Sequence, residues 1–205
     1  MDQAVIDALA RWPGVPAVYG WLSLDERGRW RLHPGGDAGR GGPGEPISNP
    51  QILAFIGRNY AQRDGCWYFQ NGPQRVYVRL DAAPYVLRRA GRGDGLQTHT
   101  GLDVQAVHGW WLDDTGRLYA ATDLGPGMVE DRDLMALLEA LRTDDGRPLL
   151  DALDDARAGG LRATPGGSWP PVPLREAARA DIPAQLGFRP NPLPPSAPLP
   201  VESPS

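Results

Sequence analysis

Apolar positions along the chain follow two rhythms, one helical and one alternating, and their order predicts a mixed architecture. From Asp2 to Trp12 the apolar residues Val5, Leu9 and Trp12 fall on one helical face, with Asp2 placed to cap it and Pro13-Gly14 to stop it. Tyr19–Leu24 and Arg29–Leu32 alternate around Asp25-Glu26-Arg27-Gly28, which reads as a β-hairpin. Residues 34–46 are rich in Gly and Pro and predict an elongated surface turn. Ser48-Asn49-Pro50 then opens a helix whose stripe is Ile52, Phe55 and Ile56, ending at Arg58-Asn59-Tyr60.

Strand formers dominate the middle of the chain. Trp67–Phe69 and Val76–Leu80 flank Gln70-Asn71-Gly72-Pro73-Gln74-Arg75, and Pro84–Leu87 extends the sheet. Beyond a turn at 91–95, short strands are expected at 96–100, 104–107, 109–112 and 117–120. After Gly125-Pro126-Gly127 comes the clearest helix, with Glu130, Asp131 and Asp133 in its first turn and a stripe of Leu134, Leu137, Leu138 and Leu141. Further helices are expected at 148–157 and near 174–180, and a Pro/Ser tail at 190–205 reads as disordered. Two segments match: Gly20-Trp21 through Asp25-x-x-Gly28-Arg29, and Gly109-Trp110 through Asp113-x-x-Gly116-Arg117. The fold class is therefore α+β, with repeated hairpin-plus-helix units forming antiparallel sheets covered by helices. The parts are 1–60, 61–145 packed with the first, a helical extension at 146–189, and the tail at 190–205.

Charge narrows the chemistry. All 21 basic residues are Arg and none is Lys, which excludes a Schiff-base lysine and a P-loop lysine. A net charge of −4 argues against nucleic acid, which is held by excess Lys and Arg. No stretch is long and apolar enough for a membrane helix. One cysteine and an N-terminus without a basic-then-apolar run suit a cytoplasmic location. No cofactor motif is present, and His33, His99 and His108 lack metal-ligand spacing. Ser23 and Ser168 lack the Gly-x-Ser-x-Gly elbow of a serine hydrolase.

The polar cluster around the central hairpin is the expected site. Arg58, Gln70, Gln74 and Arg75, beside Tyr60 and Trp67, suit a small anionic ligand through bidentate and stacking contacts. Asn59 and Asn71 are read instead as a helix C-terminal cap and a turn residue. The preferred function is a non-enzymatic ligand-binding or regulatory module. The alternatives are a protein-interaction module whose Pro-rich tail docks on a partner, or an enzyme using His99 or Cys66.

Phe55-Ile56-Gly57-Arg58-Asn59-Tyr60 followed by Trp67 through Val78 resembles an uncharacterised proteobacterial family of unknown function, over about residues 17–141. The order of hairpin, capped helix, second hairpin and Val76-Tyr77-Val78 to Pro84-Tyr85 is more distantly similar to a second bacterial family of unknown function. That likeness implies a duplicated α+β core, a C-terminal part resembling a pleckstrin-homology barrel, and a nucleotide-like ligand in signalling.

Overall fold

A computed structural model describes residues 1–91, 95–153, 161–166 and 169–194. The expected Arg92–Asp94 turn, the helix beyond residue 153, Ser168 and the tail from 195 lie outside these residues.

The fold is α+β, with two sheets sharing one apolar core. The first sheet takes β1 (Val18–Leu24), β2 (Trp30–Leu32), β3 (Glu45–Pro46), β4 (Tyr60–Arg63), β5 (Cys66–Asn71) and β6 (Gln74–Leu80) in the order β3-β2-β1-β6-β5-β4. Both hairpins are antiparallel, and the join between them, β1 on β6, is parallel. The second sheet takes β7 (Tyr85–Arg89), β8 (Leu96–Thr98), β9 (Val107–Asp113), β10 (Leu118–Thr122), β11 (Gly125–Val129), β12 (Arg142–Thr143), β13 (Arg162–Thr164) and β14 (Val172–Ala177) in the order β12-β13-β14-β9-β10-β11-β7-β8. Around them lie α1 (Gln3–Arg11), α2 (Pro50–Arg58), α3 (Asp131–Ala140), α4 (Leu149–Leu153) and α5 (Ile182–Leu186).

The two matching turns are built alike. Asp25 accepts the amides of Arg27 and Arg29 on one oxygen, as Asp113 does those of Thr115 and Arg117. In each, the late glycine (Gly28, φ 74°; Gly116, φ 81°) supplies the left-handed turn position. Burial opposes ionisation of both carboxyls, but the turn amides and neighbouring side chains outweigh it and hold them below the usual range. The turns also meet: Glu26 takes both Arg117 nitrogens at 2.6 and 2.8 Å, and Arg179 at 2.9 Å.

Several local expectations are corrected. Gly125–Val129 is a strand, not a turn before a helix; it lies between β10 and β7, and a Cβ at Gly127 would sit 2.6 Å from Leu87. The expected helix near 174–180 is β14, which pairs in parallel with β9, and helical turns follow only from Arg179. Asp2 does not cap α1 with its side chain; it turns to Arg58 and Asn59. Of that helix's expected stripe only Val5 is buried, and Trp12 is 51% exposed. Glu130 does not act through the α3 dipole alone. It is buried at 2% exposure between Arg88 and Arg132, whose guanidinium groups outweigh desolvation and keep it ionised at lower pH. The Gly/Pro-rich loop is not a free surface turn either. It forms a 3-10 turn at Ala38–Arg40 that packs on β1, with Ala38 fully buried.

Candidate functional site

Alternation along the first sheet sorts its side chains into two contrasting faces. Leu22, Leu24, Trp30, Leu32, Val76, Val78, Leu80, Trp67 and Phe69 share one face by register, and Ser23, Arg31, Arg79, Tyr77, Arg75, Tyr68 and Gln70 share the other. Each face carries a recess.

The recess on the apolar face is a groove of about 530 Å³ between the sheet and α2. Asn49 caps α2 by accepting the amides of Gln51 and Ile52, and Pro50 fits its first turn. The helix docks by its C-terminal end: Ile56 is 2% exposed, and Phe55 meets Phe69 edge-on at 5.5 Å. Its N-terminal end stands off the sheet, so Ile52, expected in the buried stripe, is 48% exposed and lines the groove. Trp21 reaches the same place through a bulge. The pairing of β1 with β6 shifts register between Val18 and Leu22 around Gly20 (φ 79°), where a Cβ would stand 2.5 Å from the Gly36 carbonyl oxygen. Leu22 thus stays in the core while Trp21 stands 45% exposed at the mouth beside Leu32. Asn71 and Gln74 supply the polar lining, with Gln74 Nε2 donating to the Pro16 carbonyl at 3.3 Å. No charged side chain lines this groove among the described residues.

The recess on the polar face is a cleft of about 510 Å³ lined by Arg27, Arg29, Arg31 and Arg79 with Asp25, Glu26, Asp81 and Asp131. Asp25 Oδ2 binds Arg29 Nε at 2.8 Å and Arg31 Nε at 3.4 Å, and Asp81 binds Arg79 at 2.8 Å. Burial raises the Asp81 carboxyl against the pull of Arg79. Arg79 Nε is buried without a hydrogen-bond partner, and the exposed Arg27 guanidinium has none among the described residues.

The cleft's roof, Gly41–Pro43, is tied down by a relay that runs from two buried side chains to the half-exposed Asp37. Ser23 Oγ lies 2.8 Å from His33 Nε2, and His33 Nδ1 lies 3.2 Å from Asp37 Oδ1. The order of contacts is that of a Ser-His-Asp triad, but acyl transfer needs an accessible nucleophile beside oxyanion donors. Ser23 sits mid-strand between Arg31 and Arg79, it and His33 are fully buried, and a Cβ on Gly44 would come within 2.7 Å of the imidazole. The relay is a clasp on the loop. Residue types alone did not reveal it; the hairpin register, which brings residues 23 and 33 together, carries the signal.

A family model described as "Protein of unknown function (DUF2946)" matches residues 1–193. The chain belongs to this family. No curated protein matches it. Among solved structures, it is similar to a DUF1285 family protein from Silicibacter pomeroyi DSS-3, with 16% identity over 77% of this chain and 81% of that one and a TM-score of 0.49. A DUF1285 family protein from Shewanella baltica OS155 also matches, with 14% identity over 57% and 89% and a TM-score of 0.43.

Within the DUF2946 fold, the six residues singled out from sequence go to different places. Gln74 lines the groove. Arg58 forks onto Asp2, with Nε 3.0 Å from Oδ1 and Nη2 3.2 Å from Oδ2. Tyr60 and Trp67 join Trp30 and Tyr85 in a buried aromatic cluster, and the Tyr60 hydroxyl donates to the Pro84 carbonyl. Gln70 and Arg75 oppose each other on the polar face; Gln70 Oε1 and Arg75 Nε are buried and unpartnered, and Arg75 lies 5.4 Å from the Tyr68 ring. Asn59 caps α2 as expected, donating to the Phe55 carbonyl. His99 lies under the first hairpin turn, where its Nδ1 accepts the Val86 amide and its Nε2 faces no partner; burial, aided by Arg88, drives its pKa down to about 3. Half-buried Cys66 begins β5 at its pair with Arg63. Neither His99 nor Cys66 lines the groove or the cleft. No group of three or more His, Cys, Asp or Glu side chains is arranged for a metal among the described residues, and no described helix is long and apolar enough to cross a membrane.

Proposed function

We propose that this protein is a non-enzymatic binding module whose groove takes a small, neutral, mainly apolar ligand. The observation that carries this is the uncharged lining of a preformed recess of about 530 Å³, within the size range of small-molecule sites. Trp21, Leu32 and Ile52 leave apolar surface uncovered at its mouth, and covering it drives binding in proportion to area. The carboxamides of Asn71 and Gln74 fix one polar end of the ligand by hydrogen bonds. Titration with the neutral fluorophore N-phenyl-1-naphthylamine tests the reading: wild type brightens the dye saturably, and Ile52→Arg abolishes this without lowering Tm. Equal dye binding by wild type and variant ends it.

The small-anion reading has its own support in the cleft, from the unpartnered Arg79 Nε and from Arg27, whose guanidinium pairs with no side chain among the described residues. Isothermal titration with inorganic phosphate decides it, since binding must vanish in Arg79→Gln. We read the two like-built turns as the trace of an internal duplication, and a regulatory role in the cytoplasm as the setting that suits a binder without catalytic groups.

A further inference from the structure

We propose that the groove has an occupant within the chain, the Pro-rich segment that begins at Pro192, and that this segment competes with the external ligand. The inference rests on the groove reading above and adds a regulator to it.

The segment starts at the right place. Asn191 Nδ2 donates to the Gly39 carbonyl at 3.2 Å, and the amide of Leu80 donates to the Pro190 carbonyl at 2.7 Å, so the chain is pinned against the loop that follows the first hairpin. That loop leads directly to the groove, since Trp21 Nε1 lies 3.7 Å from the position of a Cβ on Gly36. Gly36 and Gly39 are three chain steps apart, a span of at most about 11 Å at 3.8 Å per step. Fourteen residues run from Pro192 to Ser205, which as a polyproline helix extend about 43 Å at 3.1 Å each. Reach is therefore ample.

The chemistry also matches. Pro192-Leu193-Pro194-Pro195-Ser196-Ala197-Pro198-Leu199-Pro200-Val201 carries no charge, as the groove lining carries none. Polyproline segments dock in aromatic-lined grooves because their backbone is already ordered and their carbonyls point outward without internal partners. The groove offers one exposed indole, whose N–H makes no hydrogen bond among the described residues, and the Asn71 amide, both free to donate to such carbonyls. Pro192 is buried at the anchor, and Leu193 after it is 70% exposed where the described chain is about to end.

A groove nine-tenths occupied by its own tail binds an outside ligand roughly tenfold more weakly. Two variants test this with N-phenyl-1-naphthylamine: a chain ending at Pro194, and a full-length chain with Pro195→Gly, Pro198→Gly and Pro200→Gly. Both are expected to bind the dye roughly tenfold more tightly than wild type. A fluorescein-labelled peptide of residues 192–205, followed by anisotropy, is expected to bind the shortened chain and to lose that binding in Ile52→Arg. Dye affinities within twofold of wild type in both variants overturn the proposal, as does a peptide that does not bind at millimolar concentration or binds equally well to Ile52→Arg. If no chain binds the dye but the peptide binds through Ile52, the small-ligand reading falls and the tail's place in the groove stands.

Discussion

The first sheet presents two recesses of nearly equal size back to back, and they are opposite in kind. On one face about 530 Å³ is bounded by aliphatic and aromatic side chains and two carboxamides; on the other about 510 Å³ is bounded by four Arg and four carboxylates. The apolar groove is open because a short helix docks on a hydrophobic face only by its C-terminal end. The polar cleft is walled by charges that largely satisfy one another, and its roof is a glycine-rich loop clasped by a hydrogen-bonded relay. Unpaired apolar surface in the first is a standing drive to bind. In the second, a ligand must compete with carboxylates already in place.

That contrast can be broken at its common base. Trp67 lies in the apolar core on which both sheets rest, 4% exposed and packed on Tyr60 and Tyr85. Trp67→Ala is expected to cost about 3–5 kcal/mol in urea unfolding, through the cavity it leaves, and to weaken both recesses together. Retention of full stability would contradict the shared core.

The cleft can be disturbed through its clasp. Ser23→Ala leaves the buried His33 Nε2 unpaired and should destabilise the chain by about 1–3 kcal/mol. Hydrogen exchange should rise across residues 34–46; equal exchange in the two proteins would show that the clasp does not hold the loop.

Acid should loosen the seat on which the first hairpin turn rests. His99 is neutral when folded, with its pKa lowered from 6.5 to about 3, so the unfolded chain binds one proton more between those values. Stability is then full above pH 6.5 and falls as pH drops toward 3, at up to about 1.4 kcal/mol per pH unit. Asp25, Asp113 and Glu130, whose pKa values are also lowered, add to the loss at the acid end of that range. Chemical denaturation at pH 7, 5.5 and 4.5 checks the slope, and a His99→Leu protein should show less of it. The smallest effect is expected at the groove's rim: Gln74→Ala should weaken dye binding only a few-fold, about the worth of one neutral hydrogen bond at roughly 0.5–1.5 kcal/mol, with Tm unchanged.

How much of this was legible in the sequence depends on the range of the interaction concerned. Both Asp-x-x-Gly turns and the Asn49 cap were legible because a side chain there bonds to amides two to four residues away. The strands at 125–129 and 172–177 were not. Each has one antiparallel neighbour close in sequence, β10 or β13, but its other edge runs parallel to a strand tens of residues earlier, β7 or β9, and Gly-Pro-Gly or Val-Pro-Leu carries no alternation to announce such pairing. The same limit applied to the site. The Ile52 stripe was correctly placed on a helix, but whether a stripe residue is buried depends on how that helix leans on the sheet. Arg58 offered no clue that Asp2, 56 residues earlier, would hold it.

The parallel seam between β14 and β9 also bears on the order in which the chain can be completed. Until residues 172–177 have been made, β9 has a partner only on its β10 side, and its other edge carries bare amides and carbonyls beside Trp110 and Trp111. An open edge with large aromatics is a template for pairing with other chains. A nascent or truncated chain ending before Val172 is therefore exposed to self-association, and the last described strand acts as the stopper that makes the finished sheet safe.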